Sequence, residues 1–93
     1  MFCCYVIYSP ATDKFYVGET KDFPIRLRLH NTATFKNAST KFTNDWEEFL
    51  IIPCRDRSQA RKTEAFIKKQ KSKKFIRKLK ENPDMVNHIK NKY

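Results

Sequence analysis

The 93-residue chain has one glycine, three cysteines and no apolar run near the roughly 18 residues a membrane span needs. Each scarcity excludes something. The lack of a long apolar run rules out a membrane-spanning helix. Cys3, Cys4 and Cys54 are odd in number and two are adjacent, which suits neither a disulfide framework nor a zinc knuckle. They read instead as small buried hydrophobes in a reducing compartment. The apolar opening Phe2–Tyr8 lacks a basic flank and is short for a signal peptide, so an intracellular protein is expected. A chain that otherwise avoids glycine has placed Gly18 at the end of an apolar stretch. There it serves a strand-end turn, through positive φ, or the close approach of another backbone or ligand.

What is present is a modest core and much positive charge. Hydrophobic residues make up 40% of the chain and eight are Phe, which argues against disorder. The length suits one domain, residues 1–93. Lys and Arg number 20 against ten Asp and Glu, a formal net charge of +10. Residues 1–54 hold six basic and six acidic side chains, while residues 55–93 hold fourteen and four, so the whole excess belongs to the C-terminal part. A block of this kind favours a polyanion, nucleic acid first and an acidic membrane face second.

Phe2–Tyr8, rich in aromatic and β-branched residues, reads as a strand apolar on both faces. Ser9–Thr12 supplies turn chemistry and Lys14–Gly18 a second strand. With those four residues as the hairpin loop, Tyr8 pairs with Asp13 and Tyr5 lies directly opposite Tyr16. Asp22 is placed to cap a helix from Phe23 to about Asn31, with Arg26 and His30 on one face. The polar stretch 31–44 reads as a long loop or short irregular helix, and Trp46–Ile52 as a third strand ending at Pro53. Asp56 with Gln59 resembles a capping box opening a helix to roughly Gln70, with Ala60, Thr63, Glu64 and Ile67 inward. Ser72 or Lys73 starts a further helix carrying Phe75, Ile76 and Leu79. Asn82-Pro83 then opens a last one over about residues 83–93. The expected class is α+β, a three-stranded sheet flanked by helices, with its core in residues 2–80.

The window 61–80 contains ten basic residues and a single acid, Glu64. The ordinary reading of Glu64 is an i, i+4 pair with Lys68 on a solvated face. Yet Glu64 sits at the apolar edge of its helix, where an unneeded charge is costly. A lone carboxylate in a cationic groove also suits a divalent cation held against a phosphate.

Taken together, these residues resemble the GIY-YIG nuclease superfamily, over about residues 2–80. The likeness is closest to its small stand-alone branch, similar to the UvrC N-terminal nuclease domain. Cys3-Cys4-Tyr5 stands at the first motif and Tyr16-Val17-Gly18 at the second. Asp22, Arg26 and His30 follow on the next helix, and Ala60 with Glu64 matches the metal-binding helix. Two departures stand out: Cys3 replaces the glycine of the first motif, and no clean equivalent exists for the Asn many members carry beyond the Glu.

The resemblance implies a metal-dependent DNA endonuclease, structure-selective in repair or recombination, with Tyr5 as general base on a water. Tyr16, His30 and a basic neighbour such as Lys14 or Lys21 would assist it. Arg26 would grip the scissile phosphate, and Glu64 would hold one Mg²⁺ or Mn²⁺. Gly18 would be structural at the site, with Lys14, Lys21, Arg61, Lys68, Lys71 and Lys74 along the DNA and a partner protein supplying targeting. A phenol with its ordinary pKa of about 10 is a poor base at neutral pH unless nearby cations lower that value. Two other readings stay open. Tyr5 and Tyr16 suit a plain aromatic cross-strand pair, and the basic block alone suits a catalytically silent nucleic-acid-binding module. His88 and Trp46 read as structural.

Overall fold

The computed structural model describes residues 1–32 and 43–93. Most of the polar stretch 31–44 therefore lies outside the described residues. The elements run β1 (Phe2–Ser9), β2 (Lys14–Thr20), α1 (Phe23–Asn31), β3 (Glu47–Cys54), α2 (Arg57–Gln70), α3 (Lys73–Glu81) and α4 (Pro83–Lys90). The strands form one antiparallel sheet in the order β2-β1-β3, and the class is α+β as expected.

β1 is central, which explains its apolar character on both faces. Cys4 and Val6 point to one side, where with Val17 and Ile52 they meet Ala60, Ile67, Ile76, Leu79 and Ile89 of α2, α3 and α4. Cys3, Tyr5 and Ile7 point to the other side and pack with Trp46 against Phe23 and Leu27 of α1. Hence α1 covers one face and the basic helices cover the other. All three cysteines are buried and unbridged. Among the described residues no helix is long and apolar enough to cross a membrane.

Local chemistry sets most boundaries. The Asp22 carboxylate accepts from the Ile25 amide at 3.2 Å, the Asp56 carboxylate from the Gln59 amide at 2.8 Å, and the Ser72 hydroxyl from the Phe75 amide at 3.1 Å. The capping box is only half closed, because the Gln59 side chain accepts from the Arg55 amide (2.7 Å) rather than from that of Asp56. Pro53 lies inside β3, opposite Cys3, and does not end it. β3 is an edge strand, where the missing N–H of a proline breaks no ladder. A register shift opposite Val6 and Ile7 leaves Phe49 unpaired, so that consecutive Phe49 and Leu50 both pack towards the α2–α3 side. Asn31 closes the C-terminus of α1 onto β3: its amide donates to the Trp46 carbonyl at 2.8 Å and its carbonyl oxygen accepts from the Trp46 amide at 2.7 Å.

The hairpin register differs from the expected one. Ser9 pairs with Lys14, the loop is Pro10–Asp13, and Asp13 takes positive φ (52°). Tyr5 therefore lies opposite Gly18, and Tyr16 opposite Ile7. The pairing moves by two residues, so every side chain keeps its face and Tyr16 becomes the diagonal neighbour of Tyr5. Gly18 is not at positive φ and lies within β2 rather than at its end. Its role is close approach: a Cβ there would meet the Tyr5 hydroxyl oxygen at 2.5 Å, Cζ at 2.6 Å and Cε1 at 3.0 Å. The Tyr5 ring lies across the backbone of residue 18.

Gly18→Ala is therefore expected to destabilise the fold by about 1–3 kcal/mol, the usual range for overpacking. In a Tyr5→Ala background the same change becomes neutral or stabilising, since Ala suits a strand better than Gly. Urea unfolding of the four proteins measures this; a neutral Gly18→Ala in the wild-type background contradicts the contact.

Candidate active site

α1 presents Phe23, Leu27 and His30 to the sheet at the i, i+4, i+7 spacing of an inward stripe. A histidine thus occupies a position where an apolar residue is the rule, and it is only 3% exposed. Its partner is Tyr5, itself 1% exposed, whose hydroxyl lies 2.9 Å from His30 Nε2. Around this bond the rings of Phe23 and Tyr16 stand 5.4 and 6.4 Å from that of Tyr5, and Tyr16 stands 5.1 Å from His30. Arg26, half-buried one turn before His30, sets its charge beside both.

Burial, then the Arg26 charge, brings the His30 pKa down to about 4, so the imidazole is neutral at physiological pH. Burial, then Tyr16, pushes the Tyr5 phenol well above the ordinary tyrosine range, and Arg26 only partly opposes this. The condition for a free phenolate, nearby cations that lower the Tyr5 pKa, is thus not met, because desolvation outweighs Arg26. Two neutral groups share one hydrogen bond, and the imidazole nitrogen is able to accept the phenolic proton.

On the other side of the β2 edge, α2 carries Arg57, Arg61, Glu64 and Lys68 along one stripe. Lys68 Nζ lies 2.7 Å from Glu64 Oε2 and 5.3 Å from the centre of the Tyr16 ring, linking the carboxylate to the second tyrosine. The ordinary i, i+4 pair is therefore formed. Burial disfavours the Lys68 charge, but the hydrogen bond and charge of Glu64 more than compensate, and its pKa is raised. The Glu64 side chain is 19% exposed. Among the described residues no three His, Cys, Asp or Glu side chains converge. A single half-buried carboxylate suits a hard cation that keeps most of its own water, such as Mg²⁺, and does not suit a cage for Zn²⁺ or Ca²⁺.

The expected residues fall into two groups. Tyr5, Tyr16, Arg26 and His30 meet on the α1 face, and Glu64 reaches Tyr16 through Lys68. Among the basic residues, Lys14, Lys68 and Lys71 line one cleft beside Tyr16. Lys21 and Lys74 are exposed. Arg61 instead faces Glu19, its Nε 3.8 Å from Oε1, with Arg57 Nε 3.8 Å from Oε2. That Oε2 is buried without a hydrogen-bond partner among the described residues. Glu19 escaped the sequence reading, although its alternation with Phe15 and Val17 places it on the α2 face. His88 is exposed, and Trp46 is buried as expected.

A family model described as the GIY-YIG catalytic domain matches residues 1–80, and the chain belongs to that family. Comparison with curated proteins and with solved structures gave no match.

A buried neutral histidine makes stability pH-dependent with a defined sign. The folded-state pKa of about 4 lies below the unfolded value of 6.5, so the unfolded chain takes up the proton first as pH falls. Stability is full above about pH 6.5 and declines towards pH 4, by on the order of 3 kcal/mol. Urea midpoints from pH 7.5 to 4 should show a steeper decline for wild type than for His30→Gln. Parallel curves contradict a buried neutral His30.

Proposed function

We propose that this GIY-YIG domain is a divalent-metal-dependent DNA endonuclease hydrolysing phosphodiester bonds at the Tyr5–His30 pair. The observation that carries the reading is the 2.9 Å hydrogen bond between a buried phenol and a buried neutral imidazole. A structural core gains nothing from placing two polar groups there that apolar residues of similar shape would replace.

Hydrolysis needs a proton acceptor for the attacking water, charge on the pentacovalent transition state and help for the leaving oxygen. The phenolic oxygen of Tyr5 takes the proton of the water while its own proton passes to His30 Nε2. No phenolate has to exist beforehand, because the phenol gives up its own proton as it takes that of the water. The oriented ring over Gly18 fixes where the water stands. Arg26 offers its planar fork to the non-bridging phosphate oxygens. Glu64 would hold one Mg²⁺ or Mn²⁺, which when bound supplies the charge that stabilises the leaving 3′ oxygen. Until then Lys68 neutralises the carboxylate. The C-terminal excess of positive charge supplies affinity for the phosphate backbone.

The same reading takes residues 1–93 as one such domain, with α4 appended to the core and the cysteines reduced inside the cell. Structure-selective cutting in repair or recombination and a targeting partner protein belong to it as well.

In a panel of single-stranded, duplex, flapped and branched DNAs with RNA controls, wild type should cut at least one DNA with Mg²⁺ or Mn²⁺ and none with EDTA. Glu64→Gln should abolish cutting while binding is retained. Tyr5→Phe should lower the single-turnover rate by about 10²–10⁴-fold, the usual contribution of a positioned proton acceptor. Steeply salt-dependent binding with no cleavage of any form would leave a binding module and overturn the enzyme.

A further inference from the structure

Beside Tyr16, between β2 and the α2–α3 junction, lies a cleft of about 470 Å³, within the roughly 300–1,000 Å³ of small-ligand sites. The edge of the core at Val17, Ile67 and Ile76, each no more than 8% exposed, forms its apolar floor, and Lys14 and Lys71 with the Glu64-paired Lys68 form a cationic rim. No acid is among its lining residues. Its walls are tied together: Lys73 at the start of α3 donates to the carbonyl (2.5 Å) and carboxylate (3.2 Å) of Asp13 in the hairpin loop. Arg77 adds a contact to the same carboxylate at 3.4 Å.

Lys71 is the informative residue. It caps α2 in the left-handed region, with φ 49° and ψ 43°. Glycine is the ordinary occupant of such a cap because any Cβ is strained there. The chain carries instead a lysine whose side chain lines the cleft. A strained backbone position is a reason to look for function.

We infer that this cleft receives one unpaired nucleotide of the DNA strand next to the scissile phosphate, its base on the apolar floor and its phosphates on the lysine rim. The choice of DNA rests on the nuclease reading. The shape and charge argument does not. Tyr16 belongs to both the cleft and the tyrosine pair, so a strand held at Arg26 needs only to pass the β2 edge to reach it. A base inside a duplex is stacked and paired and cannot enter without being extruded. The domain should therefore prefer junctions, flaps or single strands to continuous duplex. A nucleotide combines the two features this lining asks for, an anionic phosphate for the lysines and a flat base for the apolar floor.

The test is binding in EDTA, so its outcome does not depend on cleavage. Fluorescence anisotropy compares a labelled dT10 strand, an abasic strand with the same phosphates, and a blunt duplex. Wild type should bind dT10 at least roughly fivefold more tightly than the abasic strand, the order expected from the apolar surface one base buries, and more tightly than the duplex. The Ile67 and Ile76 methyl NMR signals should shift with dT10 and stay in place with the abasic strand. Lys71→Gly should raise the melting temperature by a few degrees yet weaken dT10 binding roughly three- to tenfold, with a shallower salt dependence. Equal affinity for dT10 and the abasic strand, unmoved isoleucine methyls, or undiminished binding by Lys71→Gly overturns the proposal. Failure of the enzyme reading would appear separately, as absent cleavage with these preferences intact.

Discussion

The site depends on the Tyr5 ring crossing the backbone of residue 18. With the nearest ring atoms 2.5–3.0 Å from where a Cβ would stand, only glycine permits the two strands and the ring to coexist. The contact fixes the tyrosine from below, and His30 holds its hydroxyl from above at 2.9 Å. A phenol held at its hydroxyl end by both contacts has little freedom left to lose when a substrate arrives, which is the structural form of preorganisation. The single glycine of the chain and its single buried histidine act on the same phenol.

Charge is separated by the sheet. On the α1 face the tyrosine and histidine are neutral, and Arg26 is the cation that acts on both. On the α2–α3 face the positive excess is dense, and Glu64 sits within it, masked by Lys68. β2, an edge strand, is where the two faces meet, and Tyr16 and Lys68 touch across it. On the proposed reading, nucleic acid drawn by the basic side would first meet Tyr16 at that edge, next to Tyr5 on the central strand. Tyr16 and Lys68 belong to both sides of that reading, while Lys71 lies only on the binding side and His30 only on the chemical side. Mutation at those two should be able to part the functions.

Much of this was legible in the sequence because it rests on local rules. The central strand announced itself by apolar residues on both faces. Asp22, Asp56 and Ser72 cap the helices expected of them. What escaped was set by tertiary geometry. The hairpin pairing moved by two residues because Ser9 joins the strand and Asp13 accepts a left-handed conformation in the loop. The faces survived that move, so Tyr5 and Tyr16 remained neighbours. Pro53 looks like a stop in sequence because strand order, which decides whether a proline is tolerated, is not visible there. Burial holds the Tyr5 pKa up where a free phenolate would need cations to lower it, and the density of packing around a side chain cannot be read from its neighbours in sequence. Glu19 and the lysine-rimmed cleft needed the docking of α2 along β2, a long-range fact.

The central claim is that Tyr5 hands its proton to a neutral His30. Nitrogen-15 NMR of the His30 ring at pH 6 tests it most directly, because the two ring shifts report both charge and tautomer. The account predicts a neutral imidazole with the proton on Nδ1 and Nε2 accepting from the Tyr5 hydroxyl. An imidazolium, or a neutral ring protonated at Nε2, would contradict it.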